Sequence, residues 1–256
     1  MPALDYTVHD AVAHIALDAP PVNALTAPLV ADLIGLLRRA AADDSARAVV
    51  LHSRVSGRFC AGLDLKALDG AEPDAVRALL DDLYPNLVDA QRALGKPSIA
   101  AVAGTARGGG MTLALSCDLL VAGRSASFGY PEIDLGVLPA IHYEHLHRIV
   151  GRYRAFDLLF TGRSFGADEA ERLGLVSRVV DDAQVLDEAR ALARVLVAKP
   201  PLALQRGRRA FHEAADLGFR VGVSHAADAF VQVALSAEGR AGVAAFATRQ
   251  RKGRAG

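Results

Sequence analysis

The sequence predicts an α/β fold with a helical C-terminal region, and three observations carry that expectation. Short apolar segments able to form buried strands alternate with longer segments of helical apolar spacing, the pattern of βαβ-type units. Two of the strands run into glycine turns, Gly57–Leu68 and Ala103–Asp118. Beyond Phe156 the strand pattern gives way to helices. The 256 residues are 52% hydrophobic with no tryptophan. That composition, dominated by Ala, Val and Leu, suits a well-filled α/β core.

Taken in order, Leu4–Leu17 alternates with a period near two around His9-Asp10 and reads as a hairpin. Thr26 is placed to cap a helix that runs to Ala42, with Pro28 in its first turn. Arg47–Ser53 is a buried strand. Lys66 to Leu94 is helical, broken near Gly70–Pro73 and at Pro85. Ser98–Ala103 is a strand, Met111–Ser116 opens a helix, and Asp118–Ala122 is a strand. Then come helices at residues 184–198 and 201–217, split by Lys199-Pro200-Pro201, and two more at His225–Leu235 and Glu238–Arg251.

Charge and cysteine content narrow the function. Lys and Arg total 29 and Asp and Glu total 29. That balance argues against a nucleic-acid footprint or a polybasic membrane patch. Cys60 and Cys117 form no metal-type spacing, and so few thiols suit a reducing compartment. The N-terminal residues MPALDYTVHD have neither a basic nor an apolar leader pattern. No long apolar run lacks Gly, Arg or Asp. A cytoplasmic protein is expected.

The most informative segment is Ile99–Asp118, IAAVAGTARGGGMTLALSCD. A strand, a glycine turn and a helix start leave bare backbone N–H groups beside the positive end of a helix dipole. Such groups hold a phosphate, or a carbonyl oxygen as it gains negative charge. A dinucleotide fingerprint needs a third glycine where Leu113 stands, and a phosphate loop needs a lysine that the segment lacks. A tight turn that uses glycine for positive φ is the plain structural alternative. Gly57–Leu68 follows the strand Ala48–Leu51 and repeats half of the device. In Ala126–Pro139, ASFGYPEIDLGVLP, one carboxylate, Glu132, follows a proline within an apolar stretch.

Seven segments in order resemble the crotonase (enoyl-CoA hydratase/isomerase) superfamily. They are PPVNAL at Pro20–Leu25, FCAGLDLK at Phe59–Lys66 and AGTARGGGMTLALSCD at Ala103–Asp118. FGYPEIDLGVLP at Phe128–Pro139 and FTGRSFGADEAERLGLVSRVV at Phe160–Val180 follow. AKPPLAL at Ala198–Leu204 and GVAAFATRQRK at Gly242–Lys252 complete the set. The resemblance implies a spiral of repeated ββα units over residues 1–195 and a helical oligomerisation region over residues 196–256. It also implies an acyl-CoA thioester substrate and no separate cofactor, since coenzyme A arrives with the substrate. The assembly it implies is a homotrimer or a dimer of trimers.

The resemblance places the oxyanion hole on the backbone N–H groups of Leu63 and Gly109. Losing one such donor costs roughly 3–4 kcal/mol. Glu132 aligns with the family's catalytic glutamate, and its apolar neighbours are expected to raise its pKa. Thr112 stands where hydratases of the family carry a second glutamate. A threonine hydroxyl is no general base near neutral pH. One carboxylate still suffices to move a proton between two carbons, so the sequence leans toward isomerisation and away from hydration. Hydrolase or decarboxylase chemistry on the same fold, or acyl-CoA binding without catalysis, are the other readings.

Asp134 and Glu144 are reserve carboxylates; an extended segment would put Asp134 on the face of Glu132. Ala140–Tyr143 puts bulk where family hydratases have a glycine-rich turn, which brings Tyr143 and His142 into consideration as pocket residues. His142, His145 and His147 read as a polar helix face rather than a metal site. For the coenzyme A portion, the resemblance points to Pro21, Val22 and Ala61, and to Phe246 and Lys252 near the C-terminus.

Overall fold

The computed structural model describes residues 3–253, with side chains through residue 248. Its main sheet has six strands that lie side by side in chain order: Leu4–His9, Val12–Leu17, Ala48–Ser53, Ser98–Val102, Leu119–Gly123 and Arg178–Val180. The first pair is antiparallel, with His9 opposite Val12 across the turn, and all other pairs are parallel. A second sheet of four strands runs Ser164–Gly166, Ser127–Gly129, Thr105–Arg107 and Arg58–Cys60. After Ala48–Ser53, Ser98–Val102 and Leu119–Gly123, the chain crosses to the next strand of the second sheet before entering a helical segment. The result is a spiral of ββα turns, as the resemblance implies.

Local chemistry explains the first helix. Thr26 lies in extended backbone, its hydroxyl accepts the Leu29 N–H at 3.4 Å, and Pro28 sits in the first turn of Ala27–Ala42. Leu29, Val30, Leu33, Ile34, Leu37 and Ala40 face the core. That core lies between the main sheet and the helices inside the spiral. The sheet's opposite face carries Val12, Ala48, Val50, Ile99, Ala101 and Val121, covered by helix Val185–Val197 through Val185, Ala189, Leu192 and Ala193. Both faces are buried, which is why the central strands read as nearly continuous apolar runs.

Two elements differ from the sequence reading. Pro85 does not end the helical segment that begins at Pro73; Asp82–Asn86 forms a widened turn that absorbs the proline, and the helix continues through Leu87–Ala93. The chain beyond Phe156 is not purely helical. Helix Arg152–Thr161 is followed by Ser164–Gly166 and Arg178–Val180, and each adds an edge strand to one sheet.

The three C-terminal helices are Pro201–Ala214, Phe219–Ala234 and Ala237–Gly253. Arg208 ties the first of them to the spiral. It is buried, its Nε donates to Asp118 Oδ2 at 2.7 Å, and its Nη2 donates to the carbonyl of Gln91 at 2.7 Å. Asp118 also accepts the Ser98 N–H at 2.7 Å and contacts His212 Nε2 at 2.7 Å. Burial alone would raise the Asp118 pKa. The bonds from His212 and Arg208 more than offset it and hold the carboxyl below its usual range.

Candidate active site

The two glycine turns meet at one point. Gly108 caps helix Gly109–Ser116 with φ at 48°, a conformation open mainly to glycine. Gly109 and Gly110 begin the helix, where N–H groups lack an intrahelical acceptor. The other turn is held by the parallel pairing of Ala24–Leu25 with Gly62–Leu63. In that pairing Ala61 N–H donates to Val22 O at 3.0 Å, and Asp64 N–H donates to Leu25 O at 2.9 Å. A Cβ at Gly62 would lie 3.1 Å from Gly109 N, and a Cβ at Gly109 would lie 3.4 Å from Leu63 N. The two amide nitrogens therefore border the same small volume.

Asn23 sets this geometry, and the sequence reading passed over it. It is fully buried with φ at 52°. Its Nδ2 donates to Ser53 Oγ and to Phe59 O, both at 2.8 Å, and its Oδ1 accepts the Ala19 N–H at 2.8 Å. One side chain thus locks the PPVN turn onto the strand that delivers Ala61 to Leu63. The signal was in the sequence: asparagine is among the few residues that tolerate positive φ.

The meeting point opens into a cavity of about 440 Å³. Ala61, Gly62, Leu63, Gly108, Gly109 and Glu132 form its base, and Leu65, Leu68, Val76, Leu80, Leu135 and Leu138 are among its apolar walls. Among the described residues its polar side chains are Glu132 and Tyr84. The Glu132 carboxyl sits directly against Gly108, where any Cβ would collide with its Oε1. Its Oε2 is buried with no hydrogen-bond partner. Burial raises the Glu132 pKa above the ordinary carboxylate value, as its apolar surroundings predict. Burial, with the nearby Glu132 charge, pushes the Tyr84 hydroxyl up to about 12, so it stays protonated.

The other sequence-predicted residues fall in different places. Asp134 leaves the site: Pro131–Leu135 is a tight 3₁₀ turn rather than an extended run, and Asp134 points toward Gly162. Glu144 is exposed and ion-paired with Arg148. Tyr143 is not a wall of the cavity; its ring stacks on Phe160 with centroids 5.6 Å apart. Thr112 is also off the cavity, buried with its Oγ1 3.3 Å from His142 Nε2. His142, read as part of a polar helix face, is only 1% exposed. Pro21 and Val22 lie on the turn beside Ala61 but do not line the cavity. Phe246 is exposed on the last helix, and the Lys252 side chain lies outside the described residues.

Two backbone N–H donors, one desolvated carboxyl beside them and an apolar chamber can stabilise a developing oxyanion and move a proton. Known proteins share the sequence pattern and the fold. The enoyl-CoA hydratase/isomerase family model matches residues 7–253. The chain is 37% identical to the 2,3-dehydroadipyl-CoA hydratase of Escherichia coli, over 88% of this chain and 87% of that protein. It is 36% identical to a probable enoyl-CoA hydratase of Rhizobium meliloti, over 93% and 91%. The crystal structure of an enoyl-CoA hydratase from Mycobacterium smegmatis superposes with a TM-score of 0.92 at 32% identity, covering 97% of each chain. The chain belongs to the enoyl-CoA hydratase/isomerase family of acyl-CoA enzymes, the crotonase fold.

Proposed function

We propose that this enzyme forms a thioester enolate with a single carboxylate base and uses it to migrate a double bond rather than to add water. The thioester oxygen of the bound acyl-CoA accepts from the N–H groups of Leu63 and Gly109. The Glu132 carboxylate removes a proton from the carbon next to the thioester, and the electron pair moves onto the oxygen held by those donors. In a 3-enoyl thioester, Glu132 then returns the proton to the fourth carbon. The double bond shifts into conjugation with the carbonyl, and Glu132 ends ionised as it began.

The observation that carries this reading is the cavity's polar inventory. Glu132 is its one carboxylate among the described residues, and Thr112, at the position of a hydratase's second glutamate, lies outside the lining. The leucine-rich walls suit an acyl chain. Pro21, Val22 and Ala61 sit together at one side of the site, where the reading puts the coenzyme A portion. Nothing beyond the substrate's own coenzyme A is required. The exposed phenylalanines Phe211, Phe219, Phe230 and Phe246 on the C-terminal helices support assembly of the chain into a homotrimer or dimer of trimers.

Hydration is the second reading, favoured by the printed names of the relatives. The two separate on one experiment. Crotonyl-CoA and a 3-enoyl-CoA are incubated with the enzyme in deuterium oxide and followed by mass spectrometry. The proposal expects isomerised product and deuterium at the exchangeable carbon, with slow or absent hydration. Fast hydration of crotonyl-CoA overturns it in favour of the second reading. Failure to bind any acyl-CoA in calorimetry overturns both.

A further inference from the structure

We propose that His142 is a positioning residue for the oxyanion hole, donating from Nε2 to the Gly108 carbonyl and so aiming and strengthening the Gly109 N–H. The inference rests on the reading of Leu63 and Gly109 as the oxyanion donors. The carbonyl of Gly108 and the N–H of Gly109 belong to the same planar peptide unit. A bond that fixes the oxygen at one end fixes the direction of the N–H at the other. A donor on the oxygen also polarises the unit, a cooperative strengthening of about 10–30% per bond.

The geometry around this peptide is specific. Gly108 O accepts the N–H of Met111 at 2.8 Å and of Thr112 at 3.2 Å, and His142 Nε2 lies 3.3 Å away. His142 comes from a different element, helix Ala140–Val150, so it braces the turn from outside the helix that the turn begins. A carbonyl can only accept, so the proposal takes the tautomer with the proton on Nε2, where the Thr112 hydroxyl, also 3.3 Å away, is a second acceptor and Nδ1 accepts. His145 Nε2 lies 3.3 Å from Nδ1 and donates to it in the tautomer this assignment takes. The Tyr130 ring closes the pocket, with its centroid 4.4 Å from that of His142. Burial is the main cause that pushes the His142 pKa down to about 3, so the ring stays neutral through the working range. His142 does not line the cavity, which rules out contact with the reacting atoms and leaves action through the peptide.

The test compares the full-length wild type with H142F, H142Q and H142N. Glutamine extends an N–H to about the position of Nε2, whereas asparagine reaches only about as far as Nδ1. Three readouts are taken: kcat and KM, the ¹H shift of the Gly109 amide in ¹⁵N-glycine-labelled protein without ligand, and the carbonyl stretch of a bound ¹³C-thioester acyl-CoA. For H142F and H142N the expected result is about a 10-fold fall in kcat, a fraction of the 10²–10³ lost with a whole donor. KM should stay within about 2-fold, the Gly109 amide should move upfield, and the stretch should return toward its value in water. H142Q should recover most of each.

A kcat loss with the amide and the stretch at wild-type positions overturns the proposal, because that is what a structural role would give. Equal behaviour of H142Q and H142N also overturns it, and this contrast decides the matter if H142F fails to fold. The amide shift is read without substrate, so it reports on His142 even if the acyl-CoA reading fails on its own binding test.

Discussion

The glycine turns and the C-terminal helices are built on opposite principles. Where the turns meet, the two backbones are close-packed. Gly62, Gly108 and Gly110 leave no space for a methyl group, and the donors of the hole are main-chain atoms. In helix Phe219–Ala234 no residue is buried, and Phe219 and Phe230 are 86% and 73% exposed. The cavity's base is drawn together from one chain, whereas the tail presents apolar surface that one chain does not cover. A few buried bonds at Asp118 join the two regions. The contrast predicts where substitutions act on chemistry, where on folding and where on assembly.

The largest expected effect is at the site. Glu132→Gln keeps shape and removes the base, so kcat should fall by about 10²–10⁴, with binding of a saturated acyl-CoA nearly unchanged by calorimetry. Retention of more than about a tenth of kcat, roughly 1.4 kcal/mol in barrier, would assign the base elsewhere.

Next comes the junction. Arg208→Met removes the guanidinium from the part-buried Asp118 while His212 and the Ser98 N–H remain, so the cost should stay below the about 3–5 kcal/mol of a fully broken buried pair, read as a lower denaturation midpoint. The same pair gives a pH dependence. The folded-state pKa of Asp118 is lowered, so its stabilisation is present above the ordinary carboxylate value and is lost as pH falls through the lower folded value. Acid titration of stability should therefore flatten in the Arg208→Met protein. An unchanged acid limb would remove Asp118 from the account.

The activity profile should move the other way. Glu132 must be ionised to act, and burial raises its pKa. The acid limb of kcat/KM should lie above the ordinary carboxylate range, and a limb at or below that range would contradict a desolvated base. The smallest effect on a single chain is expected in the tail. Phe219→Asp with Phe230→Asp should leave the fold of the spiral intact by circular dichroism while reducing the mass of the assembly in light scattering. If the mass is unchanged, these faces are not the interface.

Legibility in the sequence follows the same division. The central strands were readable because burial on both faces makes them continuous apolar runs, and the first helix because Thr26 and Pro28 mark its start. The second sheet was not, since Arg58–Cys60, Thr105–Arg107, Ser127–Gly129 and Ser164–Gly166 are three residues each, too short for periodicity. Leu63, Gly109 and Glu132 were named through the resemblance to a known family, and the structure brings them around one cavity. Arg208 escaped, and His142 was read as a pocket or polar-face residue rather than a buried one, because a polar residue on a polar-looking helix gives no local sign that its partner lies 34 or 90 residues away. Asp134 was misplaced because proline starts a 3₁₀ turn that sends it toward Gly162.

A hole made from main-chain atoms has a consequence for redesign. Its donors carry no side chain through which they can be edited, and Gly62, Gly108 and Gly110 are closed to any larger residue. The adjustable parts are therefore the neighbours. His142 occupies the space into which a longer residue at 112 would have to grow. A carboxylate introduced at 112 alone would meet His142, whereas the pair Thr112→Glu with His142→Gly would give it room. In such a scaffold the chemistry is rewritten two positions at a time.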